Sequence, residues 1–139
     1  MRTIKFRGLR VDGKGWVYGF PYINNGDCCI RGHGFYVDVI PESVGQFTGL
    51  KDKHGKDIFE GDIVRTWRTT GGISDKREGY AYGQVQFVNG KFGIFTFRFD
   101  KSLDGRFGEN SIYGYPCYSV ASQGVEVMGN IHENADLMK

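Results

Sequence analysis

The residues with chemical potential concentrate in one stretch of the chain, where Asp52, Asp57, Glu60 and Asp62 set four carboxylates close together. Such a cluster could serve a divalent cation, which takes hard oxygen ligands. The spacing does not follow the calcium-loop pattern, however, and each acid also suits a turn or the start of a strand. His33, His54 and His132 are scattered, and none stands at a metal-ligand spacing from another. Cys28 and Cys29 are adjacent, which fits neither an ordinary bridge nor the two-residue gap of a zinc knuckle, so reduced, partly buried thiols are expected. No nucleophile elbow, P-loop or dinucleotide fingerprint is present. The expectation is a protein that is not an enzyme, with no catalytic residue, metal or cofactor.

Binding chemistry has more support. Arg65, Trp67 and Arg68 interleave cations with an aromatic ring and lead toward Lys76 and Arg77. That mixture is what phosphate contact with base stacking requires. The basic start (Arg2, Lys5, Arg7, Arg10 and Lys14 against Asp12) adds to it, although a solvated strand face explains the same charges. The tip Lys51-Asp52-Lys53-His54 is the other place to look for an interaction.

These residues sit on elements that read as strands and tight turns. In Asp52-Lys53-His54-Gly55, Asp opens a type I turn and Gly closes it, while Glu60-Gly61 offers a second turn before the strand Asp62–Trp67. The stretch Val44–Val64 therefore reads as hairpin, turn, strand, a joint between two β units. Upstream, Asp12-Gly13 and Asn25-Gly26 mark hairpins, and Trp16, Tyr18 and Phe20 share one strand face. Pro41 ends the strand before the joint. Downstream, Thr69 to Glu78 reads as a long exposed loop, and Asn89-Gly90 turns a further hairpin. Phe95, Phe97 and Phe99 at period two read as a core stripe. Cys117 to Gln123 is assigned a short helix, Val125–Ile131 a closing strand, and Asn134–Met138 a helical turn.

Composition agrees with sheet. The 139 residues include 11 Phe, 8 Tyr, 22 Gly and only 3 Pro, with β-branched residues plentiful and leucine scarce. A net charge of +2 does not by itself indicate nucleic acid or membrane. The N-terminus holds no secretion signal and no stretch approaches a transmembrane span, so a cytoplasmic protein with no membrane partner is expected.

Several segments, in order, resemble the YopX family of phage and prophage proteins. They are Ile4–Gly8, Trp16–Gly19, the central Val44–Val64 (VGQFTGLKDKHGKDIFEGDIV) and the closing Glu126–Leu137 (EVMGNIHENADL). Met128 stands where isoleucine is usual and Ala135 where proline is usual. The resemblance implies a mainly β protein with an SH3-like small barrel in its C-terminal part and no assigned activity, hence no catalytic residues to carry over. The expected organisation is one domain over 1–139, with an N-terminal β unit over 1–45 and the SH3-like unit over 46–139. Two functions follow. One is a non-enzymatic accessory protein that binds another protein or assembles with itself, a homo-oligomer being the simplest form. The alternative is a nucleic-acid-binding module. Candidate interaction residues are Lys51, Asp52, Lys53, His54, Arg65, Trp67 and Arg68.

Overall fold

The computed structural model describes residues 1–103, 114–116 and 124–139. Eleven strands are described: β1 (Phe6–Leu9), β2 (Trp16–Asn24), β3 (Asp27–Gly32), β4 (Phe35–Val39), β5 (Gly45–Lys51), β6 (Asp57–Phe59), β7 (Asp62–Thr70), β8 (Arg77–Val88), β9 (Lys91–Phe99), β10 (Gly114–Pro116) and β11 (Glu126–Asn130). The helical elements among the described residues are three short 3-10 turns, Pro41–Ser43, Lys101–Leu103 and Ala135–Met138. The strands form two antiparallel sheets, ordered β4-β3-β2-β1-β5-β6 and β10-β9-β8-β7-β11. The mainly β expectation is met.

Two of the hairpins turn where Asn-Gly pairs dictate. Asn25 and Gly26 have φ of 50° and 88°, Asn89 and Gly90 of 53° and 78°. Positive φ at both central positions is the geometry whose twist matches the flanking strands.

The first sheet curls. Beyond β1, Arg10 bridges to Val39, and the Ile40 amide donates to the Leu9 carbonyl at 2.9 Å. The concave side buries Cys28, Ile30 and Val39, with Phe6, Val17 and Val44 packed against them. Gly8 is required there, since a Cβ would come within 2.9 Å of the Val39 side chain. The second core gathers Val64, Val85 and Ile94 from the second sheet and Val125, just before β11, with Ile58 from β6. Leu50 of β5 packs on it too, so the β5–β6 hairpin belongs to one sheet and closes the core of the other.

Three expectations change. The described strands make two open sheets and no closed barrel, so the SH3-like barrel over 46–139 is not what they form. The reason is that β5 pairs with β1 and β6 with β5, which draws both into the first sheet; the change of sheet comes at Glu60-Gly61, where Gly61 has φ +87°. The expected loop over 69–78 is shorter, because Thr69 pairs with Glu78 and Thr70 with Arg77, leaving only residues 71–76 to turn. Finally, Phe95, Phe97 and Phe99 are not one core stripe. A bulge in β9 sets Phe95 opposite Gln84 and Phe99 opposite Ala81, hence on different faces, and the strand's core residue is Ile94. The closing strand and the terminal turn stand as expected, while the helix over Cys117–Gln123 lies outside the described residues.

Candidate functional site

The Asp52 loop is built inward. The Asp52 side chain is buried, and its Oδ1 accepts the amides of His54 and Lys56, both at 2.9 Å. Its Oδ2 reaches the Val127 amide of β11 at 3.1 Å, and the Lys53 amide returns a bond to the Val125 carbonyl at 2.9 Å. Burial disfavours the ionised carboxyl, but the Val127, Lys56 and His54 amides outweigh it and hold Asp52 below the usual carboxylate range. Asp52 is thus a fastener between the loop and the closing strand.

The other carboxylates of the central cluster separate rather than converge. Asp57 is claimed by two lysines, with Lys5 Nζ on one oxygen and Lys51 Nζ, at 2.6 Å, on the other. Burial raises its carboxyl, yet those two hydrogen bonds leave it lower than usual. Asp62 meets the Arg7 guanidinium and accepts the Phe59 amide at 2.8 Å. Glu60 stands apart, its carboxyl raised by burial. Among the described residues no three His, Cys, Asp or Glu side chains gather as a metal site would require.

Of the residues singled out from sequence, four come together. Arg65 Nε, Lys53 Nζ and His54 Nε2 lie 2.7, 3.3 and 3.5 Å from the carboxylate of Glu126. The Arg65 hydrogen bond, with help from Lys53, overcomes desolvation and holds Glu126 down to about 2. The Arg65 guanidinium lies 4.3 Å from the centre of the Tyr80 ring, and the half-exposed Trp67 meets that ring edge-on at 4.9 Å. Arg98 repeats the arrangement over Tyr82 at 4.1 Å. Lys51 is turned away to Asp57, and Arg68 lies opposite Gly79, on the other face of β7 from Arg65 and Trp67. Sequence reasoning missed Tyr80, Tyr82, Arg98 and Glu126. The alternation of Tyr80 and Tyr82 in β8 was the available signal for the first two.

A second surface is more open. Cross-strand registers place Tyr18, Phe20 and Tyr22 of β2, Arg31 of β3 and Tyr36 of β4 on the convex side of the first sheet. Tyr18, Phe20, Tyr22 and Tyr36 are 50%, 58%, 50% and 72% exposed. The same strand alternation that puts Trp16, Tyr18 and Phe20 together turns them outward, because the alternate residue Val17 takes the concave side with Phe6 and Ile30. Near β3 and β4 a recess of about 470 Å³ is lined by Tyr22, Cys29, Arg31, Tyr36, Asp27 and Asp38, among others. At the opposite end, over β1 and β6, a recess of about 340 Å³ is lined by Lys5, Arg7, Tyr18, Lys56, Asp57 and Phe59. In this second recess the buried Arg7 guanidinium is stacked 4.2 Å from the Trp16 ring. Cys28 faces the concave core, where burial raises its thiol, and so offers no nucleophile.

The closing segment reaches this sheet as well. Asn130 Oδ1 accepts the amides of His132 and Glu133, and Glu133 Oε2 accepts from Asn130 Nδ2 at 2.8 Å and from Trp16 Nε1 at 2.9 Å. Burial and the nearby Arg7 charge keep His132 lower than usual.

The model of the YopX protein family matches residues 22–139. The chain belongs to the YopX family. The match takes in the central and closing motifs, whereas Ile4–Gly8 and Trp16–Gly19 precede it. No curated protein matches the chain. Among solved structures, the crystal structure of protein EF1440 from Enterococcus faecalis is similar at 22% identity, with a TM-score of 0.52 and full coverage of both chains. At that identity the likeness speaks for the fold alone. Among the described residues, no helix is long and apolar enough to cross a membrane.

Proposed function

We propose that this YopX family member is a non-enzymatic accessory protein of a phage or prophage, acting in the host cytoplasm by binding protein. In its simplest form the partner is a second copy of the chain, taken up on the convex face of the first sheet. The observation that carries this reading is the group of four aromatic rings, Tyr18, Phe20, Tyr22 and Tyr36, each at least half exposed on one face. Tyrosines and arginine at the centre of a patch are the side chains that dominate interface energetics.

The charges favour a second copy. Asp27 and Asp38 stand at one end of the aromatic row, and Lys5, Lys51 and Lys56 at the other. A two-fold pairing is self-complementary, so it would set the acidic end of one copy against the basic end of the next. A polyanion laid along the whole row would meet Asp27 and Asp38 unfavourably. The nucleic-acid alternative has its support on the second sheet instead, where Arg65, Arg98 and Trp67 surround Tyr80 and Tyr82.

Light scattering after size exclusion at micromolar protein tests the reading, with the variant Phe20→Glu/Tyr36→Glu alongside. A concentration-dependent oligomer that the double variant reduces to monomer supports it. A wild-type protein that stays monomeric, or an oligomer indifferent to the two substitutions, overturns it. Salt-sensitive shifts of single-stranded DNA, lost in Trp67→Ala, would favour the second reading.

A further inference from the structure

The recess at the end of the aromatic row carries more cations than carboxylates. Lys5, Arg7 and Lys56 line it, and its one carboxylate, Asp57, already serves both Lys5 and Lys51. Lys56 Nζ has no ion-pair partner among the described residues. Arg7 carries the second, independent signal. Its side chain is 7% exposed, its Nη2 is held by Asp62, and its buried Nε–H has no acceptor among the described residues. A buried guanidinium donor without an acceptor is costly, because it has lost water and gained nothing in exchange. The guanidinium cannot swing away to solve this, stacked as it is 4.2 Å from the Trp16 ring and 4.8 Å from that of Phe59. Arg7 is therefore held in place in the lining of a recess whose other cations include the Lys56 ammonium.

The apolar side of the recess is equally defined. The half-exposed Tyr18 ring lies 5.7 Å from the buried Phe59 ring and is tilted 54° to it, giving an aromatic wall beside the cations. We propose that the recess formed by Lys5, Arg7, Lys56, Tyr18 and Phe59 is an oxyanion-binding site that takes a phosphate monoester or carboxylate borne on an aromatic group. The oxygens engage Lys56 and Arg7, a charge-assisted arrangement, and the ring lies along Tyr18. No bond is made or broken. The same pairing of oxyanion and ring can come from a free small molecule or from a second copy, where Asp27 and Asp38 lie in one recess with the Tyr22 and Tyr36 rings. The site stands on its own geometry and does not require the self-association proposed above.

Phenyl phosphate is the probe, titrated into the full chain by calorimetry, with inorganic phosphate in parallel. Saturable binding is expected, tighter for phenyl phosphate than for inorganic phosphate and weaker at high salt. Lys56→Gln, at an exposed side chain, should weaken binding of both about tenfold, the loss of one charge-assisted hydrogen bond. Tyr18→Leu should abolish the preference for phenyl phosphate while leaving inorganic phosphate bound. The sources separate by mass. If phenyl phosphate dissociates an oligomer, the natural occupant is the second copy's carboxylate; if it binds with no change of mass, the occupant is a free ligand, and either result supports the site. Absence of saturable binding at millimolar probe, or binding that neither substitution alters, overturns it.

Discussion

The guanidinium of Arg7 and the carboxylate of Asp62 meet at 2.6 Å although 55 positions separate them in the chain. Arg7 lies in β1 of the first sheet and Asp62 opens β7 of the second, so this ion pair is a direct link between the sheets. Both side chains are almost fully buried, and breaking such a pair from one side leaves an uncompensated charge. Asp62→Ala is expected to cost about 3–5 kcal/mol, while the double replacement Arg7→Met/Asp62→Leu should cost far less. Urea denaturation of the three proteins checks this. A double variant as unstable as the single one would show that the pair does more than neutralise charge.

The Asp52 fastener gives a second prediction. Asp52→Ala leaves three part-buried amide bonds, those of His54, Lys56 and Val127, without their acceptor and should cost about 2 kcal/mol. Gly55, with φ +80° and open space around its Cα, tests the turn separately. Gly55→Val should lose about 1–3 kcal/mol through the backbone alone. An unchanged melting temperature in either variant would remove the corresponding account.

Stability should fall in acid. Glu126, held to about 2 chiefly by Arg65, and Asp52, lowered by its amides against the effect of burial, both bind protons less readily folded than unfolded. Their contribution is complete above the unfolded values of 4.5 and 3.8 and drains away as pH falls toward about 2. Asp62 acts in the opposite sense: burial raises its carboxyl, against the pull of Arg7, so its contribution is present at low pH and lost as pH rises through the folded value. Urea midpoints from neutral pH down to about pH 3 should therefore decline, and Glu126→Gln should decline less than wild type. Parallel curves for the two proteins would show that Glu126 does not carry the effect.

A tighter test of the second core uses Gly83, which lies beside the β9 bulge. A Cβ at this position would come 2.5 Å from Ile94 Cγ2 and 2.9 Å from the Phe95 carbonyl oxygen. Gly83→Ala is expected to lose about 1–3 kcal/mol by overpacking. A neutral result by thermal unfolding would mean that the bulge yields easily.

What could be read from sequence was whatever depended on neighbours in the chain. Asn25-Gly26 and Asn89-Gly90 declare their turns because only such pairs accept positive φ twice, and the Asp52 turn follows from its own four residues. The side of a sheet that faces inward is a different matter. Period two joined Trp16, Tyr18 and Phe20 correctly, but the decision to turn them outward belongs to Gly8 and Val39, brought together by the curl of the first sheet. The phenylalanines of β9 misled for the same reason, since the bulge that parts Phe95 from Phe99 is fixed by pairing with β8. The candidate site was legible in pieces. Lys53, His54, Arg65 and Trp67 were recognised, whereas Glu126, which gathers the first three, lies 61 positions beyond Arg65. The convex aromatic face was seen as a strand face and not as a surface.

The bonds from β11 and the turn after it to distant parts of the chain constrain how the molecule can be made. Val127 secures Asp52 from 75 positions away, and Glu133 secures Trp16 from 117. As the chain leaves the ribosome, β1 to β6 can pair early, but the Asp52 loop stays unfastened and β7 keeps an open edge until β11 has been synthesised. The convex aromatic face is thus displayed on a sheet whose attachment to its partner sheet is completed last.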